Sequence, residues 1–296
     1  MNFVPKGVLP ALITPITKEG KINEKALRKL VNYVIDGGVH GLFALGTTGE
    51  FYGVSHDEYK EALQITIDEN KGRVPVYAGA NAITTRESIE LAQIAESVGV
   101  DALSVLTPMF ISVNQSELYD HYKSIASSTK LPILLYNNLP KTHVNITPET
   151  VEKLADIDNI VGVKDSSGDF TMTGEYIRRT RGKNFHVMLG RDTLIHAGLC
   201  YGATGAVAAC ANVAPRICAD IYDKYVAGDI AGSLEAQYNL APLRIAFNLG
   251  SFPTVIKEAL ELLGIEVGPC VAPVGPMTSS EREQLKKVLI QMGLLK

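Results

Sequence analysis

Eight short runs of apolar, often β-branched residues recur along the chain, at 8–14, 41–46, 75–80, 102–107, 132–137, 160–165, 186–190 and 203–210. Runs such as PILLYNN and IVGVKD are apolar without alternation, the pattern of strands covered on both faces, as in a parallel sheet. The segments between them carry the helical period. Over 24–35, Ala26, Leu27, Leu30, Val31, Val34 and Ile35 fall on one helix face, and over 116–126 so do Leu118, Tyr122, Ile125 and Ala126. Thr147, Pro148 and Glu149 read as a helix start. They supply a capping hydroxyl, a preset φ at the first helical position and an acid at the positive end of the helix dipole.

Alternating strands and helices leave two architectures. A doubly wound open sheet generally carries a glycine-rich phosphate loop after its first strand, and the segment ITPITKEGKIN has none. The pattern therefore predicts an α/β fold of the (β/α)8 TIM-barrel type. Helical patterns continue near 213–227, 231–247, 254–263 and 279–292, more than closing a barrel requires. Residues 1–228 are expected to form the barrel and 229–296 a C-terminal helical extension packed on it. Pro253 and the GPCVAPVGP stretch at 268–276 punctuate that extension.

Composition narrows the function. With 28 basic and 32 acidic residues and a net charge of −4, the chain offers no basic stripe to a nucleic-acid backbone. The N-terminal MNFVPKGVLPALITP lacks the charged-then-apolar pattern of a signal peptide. No apolar run approaches the ~18 residues of a membrane span, so a cytoplasmic protein is expected. Cys200, Cys210, Cys218 and Cys270 form no CxxC or zinc spacing and read as small buried hydrophobes in a reducing compartment. The histidines show no HxH or HxxxH pair, which disfavours a metal-assisted aldol reaction, and no GxSxG elbow points to a serine hydrolase.

Barrel enzymes build their sites at the C-terminal ends of the strands. Lys164 stands at such an end, in NIVGVKDSSG. If Val161 and Val163 face the helices, alternation turns Gly162 and Lys164 into the barrel. An ammonium buried there is either paired, with Asp165 or Asp192, or held toward its neutral, nucleophilic form, as Schiff-base chemistry needs. GTTGE, after the second run, is either a tight turn whose N–H and hydroxyl groups hold an anion or a plain strand-to-helix turn supported by Glu50. Tyr136 is either a proton shuttle or a core tyrosine.

Taken together, ALITP, GTTGE, LTP, YNN and GVKDSSG, in this order and spacing, resemble the dihydrodipicolinate synthase / N-acetylneuraminate lyase family over residues 8 to 295. The resemblance implies an aldolase or synthase that joins or cleaves pyruvate, or another 2-oxo acid, and an aldehyde. Lys164 would form the Schiff base with the ketone, with no other cofactor. Tyr136 would relay protons, assisted by Thr47. Thr47 and Thr48 would hold the carboxylate, and Gly190 and Val207 would line the site. A homotetramer built as a dimer of dimers is also implied. A non-catalytic 2-oxo acid binding protein would not need the lysine and tyrosine pair.

Three departures bear on the second substrate. The family's synthases place an arginine five residues after the tyrosine to bind the carboxylate of aspartate semialdehyde, and here that position is Lys141, without the planar fork. They take a relay tyrosine from a neighbouring subunit, and the matching position is Phe110. Their feedback-inhibitor pocket is matched by His56 and Glu87 but not by Ile83 and Met109. On these grounds an aldolase for 2-keto-3-deoxy sugar acids is expected ahead of an aspartate-semialdehyde synthase. Asn137, Lys141, Ser166, Ser167, Arg191 and Asp192 are the polar groups available to the aldehyde.

Overall fold

Eight parallel strands pair in chain order: β1 (Gly7–Pro10), β2 (Leu42–Ala44), β3 (Val76–Gly79), β4 (Ala102–Leu106), β5 (Ile133–Asn137), β6 (Ile160–Asp165), β7 (His186–Leu189) and β8 (Gly205–Ala208). In this computed structural model, which describes residues 3–296, β8 ladders onto β1 from Gly7–Gly205 to Pro10–Ala208. On the other side of β1, Ala11 bridges Phe43 and the Leu12 N–H donates to the Phe43 carbonyl at 2.8 Å. These contacts close the sheet into the expected (β/α)8 barrel, with helices outside and further helices after β8.

Several strands stop short of the expected runs. The continuous strands end at Pro10, Ala44 and Ala208, inside the runs 8–14, 41–46 and 203–210. The chain turns there to build the rim. Leu45 adopts a left-handed φ of 55°, and residues 210–212 coil so that Asn212 accepts from the Ile13 N–H and donates to the Ala11 carbonyl. The helices follow their signals closely. Asn23 caps Glu24–Asp36 through the Ala26 N–H, Asn114 closes a capping box on Gln115–Ser127, and Thr147 caps Pro148–Leu154. After β8 come Pro215–Val226, which completes the eight strand–helix units, and then Ile230–Ala246, Thr254–Leu262 and Ser279–Gln291.

Strand alternation sorts side chains into two cores. Leu9, Ala11, Phe43, Tyr77, Ala102, Leu134, Met188 and Val207 fill the barrel interior, while Val8, Leu42, Val76, Leu103, Leu135 and Val163 pack under the helices. Each fully buried leucine or phenylalanine contributes roughly 1.5–3 kcal/mol. Cys210 and Cys218 are buried as expected, whereas Cys200 is exposed and Cys270 half-buried. Cys200 lies on the short outer helix Ile195–Tyr201, away from both cores.

Candidate active site

Two adjacent strands deliver the central pair. In the β5–β6 ladder Tyr136 stands opposite Lys164, and Leu134 opposite Gly162. Gly162 is required by proximity, because a Cβ there would lie 2.3 Å from the His186 carbonyl oxygen. Lys164 is 4% exposed, with Nζ 3.9 Å from the Tyr136 ring centroid and 4.6 Å from that of Phe43. Neither acid weighed as its ion-pair partner holds it. Asp165 accepts from the Asn137 amide, the Ser167 N–H and hydroxyl, and Thr173 Oγ1. Asp192 faces Arg244 at 3.6 Å and acts on Lys164 only at longer range.

Burial pushes the Lys164 pKa below its ordinary 10.5, against the opposing pull of Tyr136 and Asp192. Burial thus shifts the amine toward its neutral, nucleophilic form. The linkage has a definite sign. Between the folded pKa and 10.5 the unfolded chain binds more protons, so the cost of burying this ammonium falls as pH rises through that window. Lys164→Met is therefore expected to raise the melting temperature by a few degrees at neutral pH, by a margin that shrinks toward pH 10.5. Melting curves across that range check it, and an equal or lower midpoint at neutral pH would overturn it.

The Tyr136 hydroxyl accepts from the Asn138 side-chain amide at 2.9 Å and lies 3.3 Å from Thr47 Oγ1. Burial alone would raise its pKa. The Lys164 charge, with hydrogen bonds from Thr47, Ser166 and Lys164, more than offsets this and lowers it. A phenol of lowered pKa beside an amine can hand a proton to and from a group formed at Nζ. Asn138 is a partner the sequence reading did not single out, although it is the last residue of the YNN motif.

Gly46 to Glu50 forms the turn above Lys164. Left-handed residues bracket it, Leu45 at φ 55° and Glu50 at φ 53°. Thr14 Oγ1 donates to the Gly49 carbonyl at 2.6 Å, and a Cβ on Gly49 would sit 2.9 Å from the Leu12 carbonyl oxygen. Among the described residues, the N–H groups of Thr47 and Thr48 have no protein acceptor. Two free N–H donors with two hydroxyls suit a carboxylate.

One cavity of about 250 Å³ brings together Thr47, Thr48, Tyr136, Lys141, Lys164, Gly190 and Val207. Gly190 is tightly packed, since a Cβ there would fall 1.9 Å from Ser166 Oγ and force that hydroxyl to move, with the Asp165 carbonyl oxygen at 3.0 Å. Ser166, Arg191 and Asp192 also reach the cavity, but Asn137 and Ser167 do not line it, being spent on Asp165. Lys141 enters from the short helix Leu139–Thr142, Arg191 from the loop after β7, and Arg244 from the helix Ile230–Ala246. Arg244 escaped the sequence reading because nothing local in a helix far along the chain marks it as facing this cavity. Phe110 stands outside it, 94% exposed, at φ 71°. His56, Glu87, Ile83 and Met109 line a separate cavity of about 230 Å³.

Comparison with known proteins bears on this arrangement. The family described as "Dihydrodipicolinate synthetase family" matches residues 4–292. A protein of Methanothrix thermoacetophila named 4-hydroxy-tetrahydrodipicolinate synthase is 38% identical over 288 residues, covering 97% of each chain. One of the same name from Brucella abortus is 42% identical over 260 residues, 88% of each. Among solved structures, a prophage protein of the dihydrodipicolinic acid synthase family from E. coli K12, in complex with pyruvate, superposes with a TM-score of 0.94 at 32% identity, covering 98% of this chain and 99% of the other. A structure described as the first monomeric dihydrodipicolinate synthase variant gives 0.95 at 33%, covering 98% and 97%.

Proposed function

Because the chain belongs to the dihydrodipicolinate synthetase family, we propose that it makes or breaks a carbon–carbon bond between pyruvate and an aldehyde, through a Schiff base on Lys164. The observation that carries this is the buried Lys164 amine in register with Tyr136 beneath the Thr47–Thr48 turn. The turn holds the carboxylate of pyruvate. The neutral amine attacks the ketone carbon, Tyr136 passes a proton to the carbinolamine hydroxyl, and water leaves to give the imine. Loss of a C3 proton gives an enamine, whose carbon attacks the aldehyde. Cleavage is the same path reversed. The test is borohydride reduction in the presence of pyruvate, which should leave one reduced pyruvyl adduct on Lys164. Unmodified protein after that treatment would refute the proposal.

For the aldehyde, the sequence departures put a 2-keto-3-deoxy sugar acid aldolase first, and the comparisons reverse that order. Relatives at 36–42% identity carry the synthase name. The cavity's charge points the same way. Lys141, Arg191 and Arg244 line it with the single carboxylate Asp192, which favours an aldehyde that carries a carboxylate, as aspartate semialdehyde does, over a neutral polyol. Lys141→Ala is expected to raise KM for aspartate semialdehyde about tenfold, the worth of one charge-assisted contact, and to leave KM for pyruvate unchanged. A coupled reductase assay measures this. The sugar-acid reading keeps one observation of its own: Lys141 cannot grip a carboxylate with two parallel bonds as arginine does. Turnover of a neutral hydroxylated aldehyde more than about 100-fold better than aspartate semialdehyde, a gap of ~2.7 kcal/mol, would restore it.

The homotetramer implied by the resemblance belongs to the same proposal. The exposed Phe110 offers an apolar ring to a neighbouring subunit. A monomeric variant shares the fold, so the fold alone does not fix the assembly.

A further inference from the structure

We propose that Lys257, far along the chain in the C-terminal extension, is a positioning residue for the turn that holds the pyruvate carboxylate. The inference rests on the pyruvate reading above. Lys257 Nζ lies 2.6 Å from Glu50 Oε1, with the two side chains 3% and 1% exposed. Nζ also donates to the Pro269 carbonyl at 2.6 Å, and Glu50 Oε2 accepts from the Val271 N–H at 2.6 Å. Oε1 has no hydrogen-bond partner of good alignment, so it depends on the ammonium as an ion pair. One buried charge pair thus ties the helix Thr254–Leu262 and the 269–271 loop to the last residue of GTTGE.

Stability alone gives no reason for this pair. Taking two charges out of water costs about as much as their attraction returns, and an apolar pair of similar volume serves the fold as well or better. What the pair adds is geometry. Glu50 stands in the left-handed region at φ 53°, a conformation that a residue with a Cβ resists unless its surroundings hold it. Two and three residues before it come Thr48 and Thr47, with their free N–H groups. The barrel grips the turn from inside through Thr14 and Gly49. The extension grips it from outside through Glu50, and again where Val271 packs against Gly53 so closely that a Cβ there would meet its methyls at 2.7 Å. Donors displaced by a fraction of an ångström no longer converge on both carboxylate oxygens.

The test compares Lys257→Met, Glu50→Gln and the apolar double variant Lys257→Met/Glu50→Leu in the full-length enzyme. It measures the pyruvate concentration that half-saturates borohydride trapping, KM and kcat, and the melting temperature. Each variant is expected to raise the half-saturating pyruvate at least about tenfold, with kcat at saturation within about threefold of wild type. The double variant should regain the melting temperature that a lone buried carboxylate would lose in Lys257→Met, yet keep weak pyruvate binding. A purely structural role would restore both together. If Lys257→Met does not fold, the double variant alone decides. No adduct in the wild type overturns the Schiff-base reading and the positioning role together. A wild-type adduct with unchanged half-saturation in the variants overturns the positioning role alone.

Discussion

Lys164→Ala is expected to lower kcat/KM for the proposed pyruvate reaction by at least about 10⁴-fold and to abolish the borohydride adduct, because the variant has no amine at the position proposed to form the imine. The magnitude follows from the setting. Nζ is buried between two aromatic rings and neither Asp165 nor Asp192 neutralises it at close range, so the site is organised around its reactivity rather than around a salt bridge. Lys164→Arg is the sharper control. It keeps a cation but supplies a guanidinium that stays protonated and cannot attack a ketone. It should be as inactive as the alanine variant. Activity in either variant within about 100-fold of wild type, less than ~2.7 kcal/mol of lost transition-state stabilisation, would show that the chemistry runs elsewhere.

Tyr136→Phe is expected to cost about 10²–10⁴-fold in kcat, the usual worth of a positioned proton shuttle. The ring is retained, so packing against Lys164 survives and the melting temperature should change little. The lost hydroxyl is the acceptor of the Asn138 amide and the neighbour of Thr47 Oγ1, so the variant breaks proton transfer without moving the amine. The adduct should therefore still form on Lys164 with prolonged incubation, only more slowly. Single-turnover trapping separates the two effects. Trapping as fast as wild type, with turnover equally unharmed, would reduce Tyr136 to a packing residue.

The features legible in the sequence were those written in local pattern. Unbroken apolar runs announced strands buried on both faces, and the parity of Val161, Gly162, Val163 and Lys164 turned the lysine inward, where the ladder sets it beside Tyr136. What the sequence could not reveal depends on contacts across long stretches of chain. Glu50 and Lys257 are 207 positions apart (257 − 50), and neither motif announces the other. A hindsight signal does exist for Lys257: it sits on the buried face of TVIKEALEL among Ile256, Ala259 and Leu260, where a lysine needs a partner. Arg244 carried no such mark, since the apolar residues of its helix are spread around all sides and only the three-dimensional packing turns that position toward the cavity. Asn137 misled for a related reason. A strand-end amide seemed available to substrate, but it is fully buried and donates to Asp165.

The cavity has two halves of unequal tolerance to change, and this bears on how such a protein could be diverted to a new substrate. On the side proposed for the ketoacid, strand register and the close backbone approach at Gly162 leave little room for substitution. On the side proposed for the aldehyde, Lys141, Arg191 and Arg244 come from three separate elements and carry little of the core. Mutational drift is therefore channelled. Under the proposed function, single changes at those three cations are expected to redirect the partner aldehyde by a few kcal/mol while the Schiff-base half is inherited intact.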